Sequence, residues 1–222
     1  MAGALEFVYP RRCFNCGEEG TFFCDRCYFS AERARGSRCP HCWSQVRGGN
    51  CRRCGDQPPQ ATIRSAFVHE GGPRAAVLGL KYSGCYGAGV DLGRLMARTL
   101  SNRTAGAEVL VPVPLHRSRQ RQRGYNQAQK LGEGYAEATG LGLAPELLRR
   151  VRNTKAQAAG LDLDQRMANV EGAFEASPLA AGRRVLLLDD VITTGATVQA
   201  CAAALIAVGA ASVSAVSFSR EG

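Results

Sequence analysis

The chain has 222 residues, enough for one α/β domain of ordinary size plus a small module. Hydrophobic residues make up 45% and charged residues 21%, as in a soluble globular protein, and no run approaches the roughly 18 apolar residues that span a bilayer. The formal net charge of +9 favours anionic partners such as phosphates, nucleotides or nucleic acid.

Met1 to Arg12 lacks the basic start and apolar core of a secretory signal, so a cytoplasmic location is expected. Ten cysteines follow along the chain, eight of them in four CxxC pairs: Cys13/Cys16, Cys24/Cys27, Cys39/Cys42 and Cys51/Cys54. Each pair presents two sulfurs to one ion, and two pairs complete a tetrahedral site. Few large aliphatics lie between them, so metal binding would supply much of the folding energy. A disulfide scaffold is the rival reading and needs an oxidising compartment. Two Zn²⁺ ions are expected, with Cys13, Cys16, Cys24 and Cys27 on one and Cys39, Cys42, Cys51 and Cys54 on the other. An interleaved pairing, first with third and second with fourth, stays open. His41 sits inside the third pair as a bystander, since four sulfurs suffice. A closed Cys₄ site is structural, so this module reads as a scaffold or docking surface. The first sixty residues hold nine Lys/Arg and six Asp/Glu, so with thiolates and zinc counted the excess charge belongs downstream. Arg11, Arg12, Arg47, Arg52 and Arg53 read as a solvated basic face, with nucleic-acid contact as the alternative.

Pro58-Pro59 marks a linker, dividing the chain into a zinc-ribbon module at 1–58 and a larger domain at 59–222. Ala61 to Val68 reads as a first strand, Arg74 to Tyr82 as a short helix, and Val90 to Leu100 as a helix with apolar residues at helical spacing. Glu108 to Val113 is a second strand, stopped by Pro112-Val113-Pro114. After it comes His116, then Arg117, Arg119, Arg121 and Arg123 at every second position. In an extended segment all four would reach one face, with Gly124 as a hinge before a helix from Tyr125 to Ala138. Their counterpart is a pyrophosphate, a nucleic-acid backbone or water alone. Leu141 to Val151 is mixed, and Asp162 to Val170 reads as helical. Arg184 to Leu188 is a buried strand, Val198 to Val208 a helix, and Ala211 to Phe218 a final strand. Cys201 is a small core residue, and Cys85 a loop thiol without assigned function. Strands separated by helices imply a mostly parallel sheet with right-handed crossovers, whose ligands bind at the carboxyl ends of the strands. Pro114, Asp189 and Asp190 then share one rim.

The richest segment is the turn between that buried strand and the next helix. Four apolar residues end in Asp189 and Asp190, followed by Thr193, Thr194, Gly195, Ala196 and Thr197. Backbone N–H groups at a helix N-terminus favour a phosphate, the threonines add hydroxyl donors, and glycine permits close approach. The acid pair suits ribose hydroxyls or a ribose-bound Mg²⁺. No GxxxxGK[ST] occurs, and Gly87-Ala88-Gly89 is only a near miss for the dinucleotide fingerprint.

This turn closely resembles the phosphoribosyl pyrophosphate (PRPP) signature of type I phosphoribosyltransferases. The whole chain resembles the ComF/GntX group of competence-associated bacterial proteins. The markers are the four CxxC pairs, Leu80-Lys81-Tyr82, Val111 to Leu115, Arg123 to Gln127, Gln157 with Leu161, Arg166 with Asn169, Gly172-Ala173-Phe174 and the PRPP loop. Tyr125 stands where that group often has Phe. The resemblance implies a type I phosphoribosyltransferase fold, an α/β sheet flanked by helices behind a double zinc ribbon. It implies that Asp189 and Asp190 bind the ribose 2′- and 3′-hydroxyls and steady the positive ring of the transition state. It implies that Thr193, Thr194, Gly195, Ala196 and Thr197 hold the 5′-phosphate, with Val113, Pro114 and Lys81 on the pyrophosphate side. Arg117, Arg119, Arg121, Arg123, Gly124, Tyr125 and Asn126 match the mobile loop over the site. Members are associated with DNA uptake in natural transformation, at the inner face of the membrane with a helicase-like partner. Two functions follow: a PRPP- and Mg²⁺-dependent transferase of undetermined acceptor, or a single-stranded DNA adaptor that keeps the fold with little turnover. For the adaptor, Tyr125 is the one aromatic close to the basic loop.

Overall fold

A computed structural model describes residues 11–46, 51, 54, 59–100, 106–153 and 169–221. Five strands form an all-parallel sheet: β1 (Ala61–Val68), β2 (Val109–Pro112), β3 (Gly142–Leu143), β6 (Arg184–Ile192) and β7 (Ser212–Arg220). Their spatial order is β1-β7-β6-β2-β3, with β6 at the centre. Leu148–Arg150 (β4) and Phe174–Ala176 (β5) make a separate antiparallel ribbon. The helices are α1 (Asp25–Ser30), α2 (Gly71–Tyr82), α3 (Tyr86–Thr99), α4 (Arg117–Arg123), α5 (Gln127–Thr139) and α6 (Ala196–Ala207). Of the helix expected over Asp162 to Val170, only Asn169 and Val170 lie among the described residues, and both are helical. No helix among the described residues is long and apolar enough to cross a membrane.

The β6 run is continuously apolar because both faces of the sheet are covered. Leu186 and Leu188 enter a core with α2, α3 and α5; Val185 and Leu187 enter a second core with α6 and the β4–β5 ribbon. The strand does not stop at Leu188 but continues through the acids to Ile192, paired with β7 at Asp189 with Ser217 and Ile192 with Arg220. Helices α3 and α5 touch backbone to backbone: a Cβ on Gly93 would meet the Leu131 carbonyl oxygen at 2.0 Å, and one on Gly134 the Val90 oxygen at 1.9 Å. Glycine is required at both places by space, not by torsion.

The cysteine-bearing segment shares its apolar contacts with the sheet domain. Phe23 packs edge-on against Phe67 of β1 and Phe218 of β7, in one core with Cys13, Cys24 and Cys27. Trp43 and Ala34 belong to the core on the other face. Between the two tetrads the chain runs along the outer edge of β1: Val68 N–H donates to the Glu32 carbonyl at 3.0 Å, and Ala34 N–H to that of Ala66 at 3.1 Å. An edge strand that would otherwise expose unpaired amides is thus closed by the linker between tetrads.

The arginine segment differs from the extended form expected. Residues 117–123 are helical, because Arg, Ser and Gln include no β-branched residue and the ends are capped. The His116 side chain accepts from Ser118 N–H at the start, and Gly124 at φ +79° stops the helix. Positions two apart on a helix differ by about 200°, so the four arginines divide between two faces. Arg119 and Arg123 share one; Arg117 and Arg121 share the other and are exposed.

Candidate active site and metal centres

Four strand ends build one cleft of about 300 Å³. From the β2 side come Val113, Pro114 and Leu115; from β6 come Asp189, Asp190 and the whole turn 191–198; from the β1 and β7 ends come His69 and Glu221. Arg119, Arg123 and Asn126 enter from α4 and the start of α5, Lys81 from the end of α2, and Arg150 from β4. Of the candidate PRPP residues, Asp189, Asp190, Thr193, Thr194, Gly195, Ala196, Thr197, Val113, Pro114 and Lys81 all line it. Of the loop residues, Arg119, Arg123 and Asn126 do, whereas Arg117, Arg121, Gly124 and Tyr125 do not. The helical turn explains the division of the arginines.

Asn126 ties the two walls together. Its Nδ2 donates to the Val113 carbonyl at 3.0 Å, while its Oδ1 accepts from Ala128 N–H at 3.0 Å as the α5 cap. Tyr125 departs from the expectation of an aromatic available for stacking. It is 5% exposed, packs on Tyr86 at 4.8 Å and donates its hydroxyl to the Leu80 carbonyl, so no base can stack on it.

The acids are held differently. Consecutive strand residues point to opposite faces. Asp190 meets Lys81 Nζ at 2.8 Å through Oδ2, while its Oδ1 accepts from Val191 N–H at 2.8 Å. Asp189 accepts from Asp190 N–H at 2.8 Å and feels Cys201 of α6 and Arg150 on the other side. Burial, and then the neighbouring Asp190 charge, push the Asp189 carboxyl well above the usual carboxylate range; the Asp190 N–H and Lys81 pull the other way. Ionising both carboxylates is thus unfavourable beside a single lysine, and a cation or hydroxyl donors bound there would favour the charged pair.

The turn itself is open to an anion. Gly195 takes φ +85° as the cap of α6, and a side chain there would meet Ile63 at 3.2 Å. Thr194 Oγ1 accepts from Ala196 N–H at 3.4 Å. Among the described residues nothing accepts from the first-turn N–H groups of Thr197 and Val198. Donors of this kind at a helix N-terminus following a strand can hold an anion.

The thiols gather in the sequential pairing: Cys13, Cys16, Cys24 and Cys27 in one group, Cys39, Cys42, Cys51 and Cys54 in the other, with all sulfurs of a group within 4.8 Å. Sulfur separations of 3.5 Å (Cys16–Cys24), 3.5 Å (Cys42–Cys51) and 3.7 Å (Cys39–Cys54) match the edge of about 3.8 Å expected of a tetrahedron with Zn–S bonds near 2.3 Å. The interleaved alternative does not occur. The knuckles repeat: Cys13 N–H donates to Glu18 O and Gly17 N–H to Cys13 O, as Cys39 N–H does to Ser44 O and Trp43 N–H to Cys39 O. Trp43 holds φ +61° where the first knuckle has Gly17 at +77°. Its indole N–H donates to the Ala34 carbonyl at 3.0 Å and Arg64 lies 4.4 Å over its ring, contacts that fix this unfavourable conformation. In the first group the Glu18 N–H and the Arg26 guanidinium lower the Cys16 thiol to about 6. Cys24 is eased by the Cys27 N–H yet pushed up to about 12 by burial, Glu18 and its fellow sulfurs. Four thiolates at these separations repel one another, which a bound cation would relieve.

Residues 135–221 match the profile of the phosphoribosyl transferase domain. The chain is 31% identical over 192 residues to the DNA utilization protein YhgH of Salmonella typhimurium, an alignment taking in 82% of this chain and 84% of that protein. The chain belongs to the ComF family. It is also 30% identical to competence protein F of Haemophilus influenzae, over 72% of this chain and 75% of that one. Competence protein ComFC of Bacillus subtilis is 35% identical over a shorter stretch, 51% of this chain and 45% of its own. Three cleft residues of this ComF-family chain had no place in the sequence reading: His69, Glu221 and Arg150. The first two directly follow strands β1 and β7, so the rule that ligands sit at strand carboxyl ends would have found them. Arg150, over the Phe174 ring at 5.2 Å, carries no local signal because the β4–β5 ribbon alone brings it there.

Proposed function

We propose that the cleft binds Mg-PRPP and transfers its phosphoribosyl group to an acceptor, releasing pyrophosphate. One observation carries this reading: the adjacent carboxylates Asp189 and Asp190, the open N–H groups of the α6 turn and the inward Arg119, Arg123 and Arg150 share one cleft. In this reading the turn from Thr193 to Thr197 takes the 5′-phosphate, and Asp189 and Asp190 take the ribose hydroxyls. Val113, Pro114, Arg119 and Arg123 take the pyrophosphate, on which charge builds as the C1–O bond breaks. The developing positive ring is steadied by the two carboxylates. Mg²⁺, when bound, supplies charge neutralisation for the pyrophosphate. Among the described residues no cysteine or serine lines the cleft as a nucleophile, which suits direct displacement.

The cysteine groups hold two structural Zn²⁺ ions, and the zinc-ribbon module ends near residue 58. Its thiolates suit a reducing cytoplasm. Titration calorimetry with Mg-PRPP tests the site. Wild type gives saturable heat, and Asp189→Asn/Asp190→Asn gives none; equal heats would reject the assignment.

A second reading concerns the outer face of α4. Arg117 and Arg121 are exposed away from the cleft, and the relatives are named for DNA utilization and competence. Single-stranded DNA held along these arginines, handed on by a helicase-like partner at the inner membrane face, is compatible with PRPP binding on the opposite face. Arg117→Ala/Arg121→Ala should flatten the salt dependence of single-stranded DNA binding. An unchanged slope would remove α4 from that role.

A further inference from the structure

The second cysteine group is bonded directly to the floor of the cleft. Ser44, two residues after Cys42, has its Oγ 3.2 Å from the Cys42 sulfur. The same oxygen accepts from Arg220 Nη2 at 2.9 Å. Arg220 is the last residue of β7 and is 2% exposed. Its backbone lies where three strand ends meet, paired with Ile192 of β6 on one side and Val68 of β1 on the other. Its carbonyl accepts from His69 N–H at 2.7 Å, and the next residue, Glu221, donates its N–H to the Ile192 carbonyl at 3.1 Å. His69, Ile192 and Glu221 all line the cleft. One buried side chain thus joins a cysteine knuckle to the backbone that sets three cleft residues. The rest of the knuckle is tied to β1. Ile63 N–H donates to the His41 carbonyl at 2.7 Å, and Arg64 Nη1 to that of Pro40 at 2.8 Å. The Ile63 side chain in turn reaches Gly195, the cap of α6, where an added Cβ would stand 3.2 Å from it. The first cysteine group reaches the cleft only through a helix: Phe14 and Phe23 lie against Gly79 and Gly72 of α2, whose last turn bears Lys81.

We propose that Ser44 and Arg220 are positioning residues that couple metal occupancy of Cys39, Cys42, Cys51 and Cys54 to sugar-phosphate binding in the cleft. The inference rests on the PRPP reading of that cleft. A metal-bound sulfur has no proton to give, so the Ser44 hydroxyl donates to it and offers a lone pair to Arg220. Four thiolates around one divalent cation carry excess negative charge, and the guanidinium answers it through a single hydroxyl. Hydrogen bonds in such a chain strengthen one another. Partners of metal ligands at this remove orient the ligands and tune the metal. Loss of the metal removes the excess charge and weakens the hold on Arg220, and with it the alignment of the β1, β6 and β7 ends. Coupling between two sites is reciprocal. Whatever factor the metal adds to ligand affinity, the ligand adds to metal affinity.

Transfer of zinc from the full-length, zinc-loaded protein to a zinc-selective chelator, with and without saturating Mg-PRPP, reads this coupling. The equivalent that Cys16→Ser releases earlier belongs to the first group, so the other equivalent reports the second. Mg-PRPP should raise the zinc affinity of the second group about fivefold or more. Ser44→Ala should bring that factor below about twofold and weaken Mg-PRPP binding of the zinc-loaded protein about fivefold in calorimetry. Ser44→Thr, which keeps the hydroxyl, should restore both. Glu18 holds the matching place in the first knuckle: its carbonyl accepts from Cys13 N–H as that of Ser44 does from Cys39 N–H. Glu18→Ala should leave the factor of the second group unchanged. A wild type that binds Mg-PRPP with no change in zinc affinity at the second group overturns the proposal. So does a factor that survives in Ser44→Ala, or one lost equally in Glu18→Ala. Absence of any Mg-PRPP heat in wild type is a different result: it removes the PRPP reading itself, and the coupling with it.

Discussion

Lys81 Nζ lies 2.8 Å from Asp190 Oδ2, joining the last turn of α2 to the central strand at the point where the apolar run ends. Both side chains are largely enclosed, so the pair fixes the α2 end against the acids. Lys81→Met should leave the buried Asp190 carboxylate without its counter-charge beside Asp189. We expect a stability loss of about 1–3 kcal/mol and Mg-PRPP affinity at least about tenfold weaker. Thermal denaturation and calorimetry on one preparation measure both.

Asp189 works the other way. Its carboxyl is pushed up, chiefly by burial and by Asp190, so its ionised form strains the unliganded fold. A group whose folded-state value is raised adds stability below its unfolded value and loses it as pH rises through the folded one. Asp189→Asn keeps the acceptor for Asp190 N–H and removes the charge. The variant should therefore melt higher than wild type, by about 2–4 °C for each kcal/mol recovered. The gain should be largest at alkaline pH and fade toward pH 4, while Mg-PRPP binding is lost. A variant that melts lower at pH 8 would contradict this account.

The helical form of residues 117–123 makes a sharp prediction about the arginines. Arg119→Ala/Arg123→Ala removes the two that line the cleft and should weaken Mg-PRPP binding about 10–100-fold, the worth of one or two charge-assisted contacts. Arg117→Ala/Arg121→Ala, on the outer face, should stay within about twofold. Equal losses from both pairs would mean that all four reach the ligand.

Metal removal should reach the sheet. Residues 32–34 cover the β1 edge between the two cysteine groups, and Phe23 packs on β1 and β7. Chelation should release two equivalents of zinc and raise amide exchange at Ala34 and Val68 well before that of Leu186 or Leu187 in the central strand. Simultaneous loss of all of these protections would mean a single cooperative unit.

Gly134→Ala tests the α3–α5 contact. The new methyl would stand 1.9 Å from the Val90 carbonyl oxygen, backbone that cannot turn aside as a side chain can. Overpacking of this kind costs about 1–3 kcal/mol, and the helices can part only by disturbing the Lys130 and Leu131 turn. Gly142→Ala, which meets nothing within 4 Å, is the matching control in the melting assay.

Several features were legible because their cause is local. Strand β1 was readable to the residue, and the four CxxC pairs announced two groups of four thiols. The acids and the turn after them suggested a sugar-phosphate site, and the structure brings all of those residues to one cleft. The alternating arginines misled because period-2 spacing fits a strand as well as two faces of a helix. Only the His116 cap and the Gly124 stop decided between them. Tyr125 looked available because its neighbours are polar, yet its ring fills the space beside Leu80 and Tyr86.

The sequence by itself determined the chemistry on offer: thiols in pairs, a carboxylate pair, and a turn with hydroxyls and glycine. Those choices are made by neighbours along the chain, whose torsions and hydrogen bonds need no distant partner. The tertiary structure alone decided which groups face each other. Strand order put β7 and β1 opposite β2 across the central strand, and so set His69 and Glu221 in one cleft with the β2 side, while the β4–β5 ribbon alone brought Arg150 there. Side chains far apart in sequence meet only where the sheet and its covering helices bring their ends together.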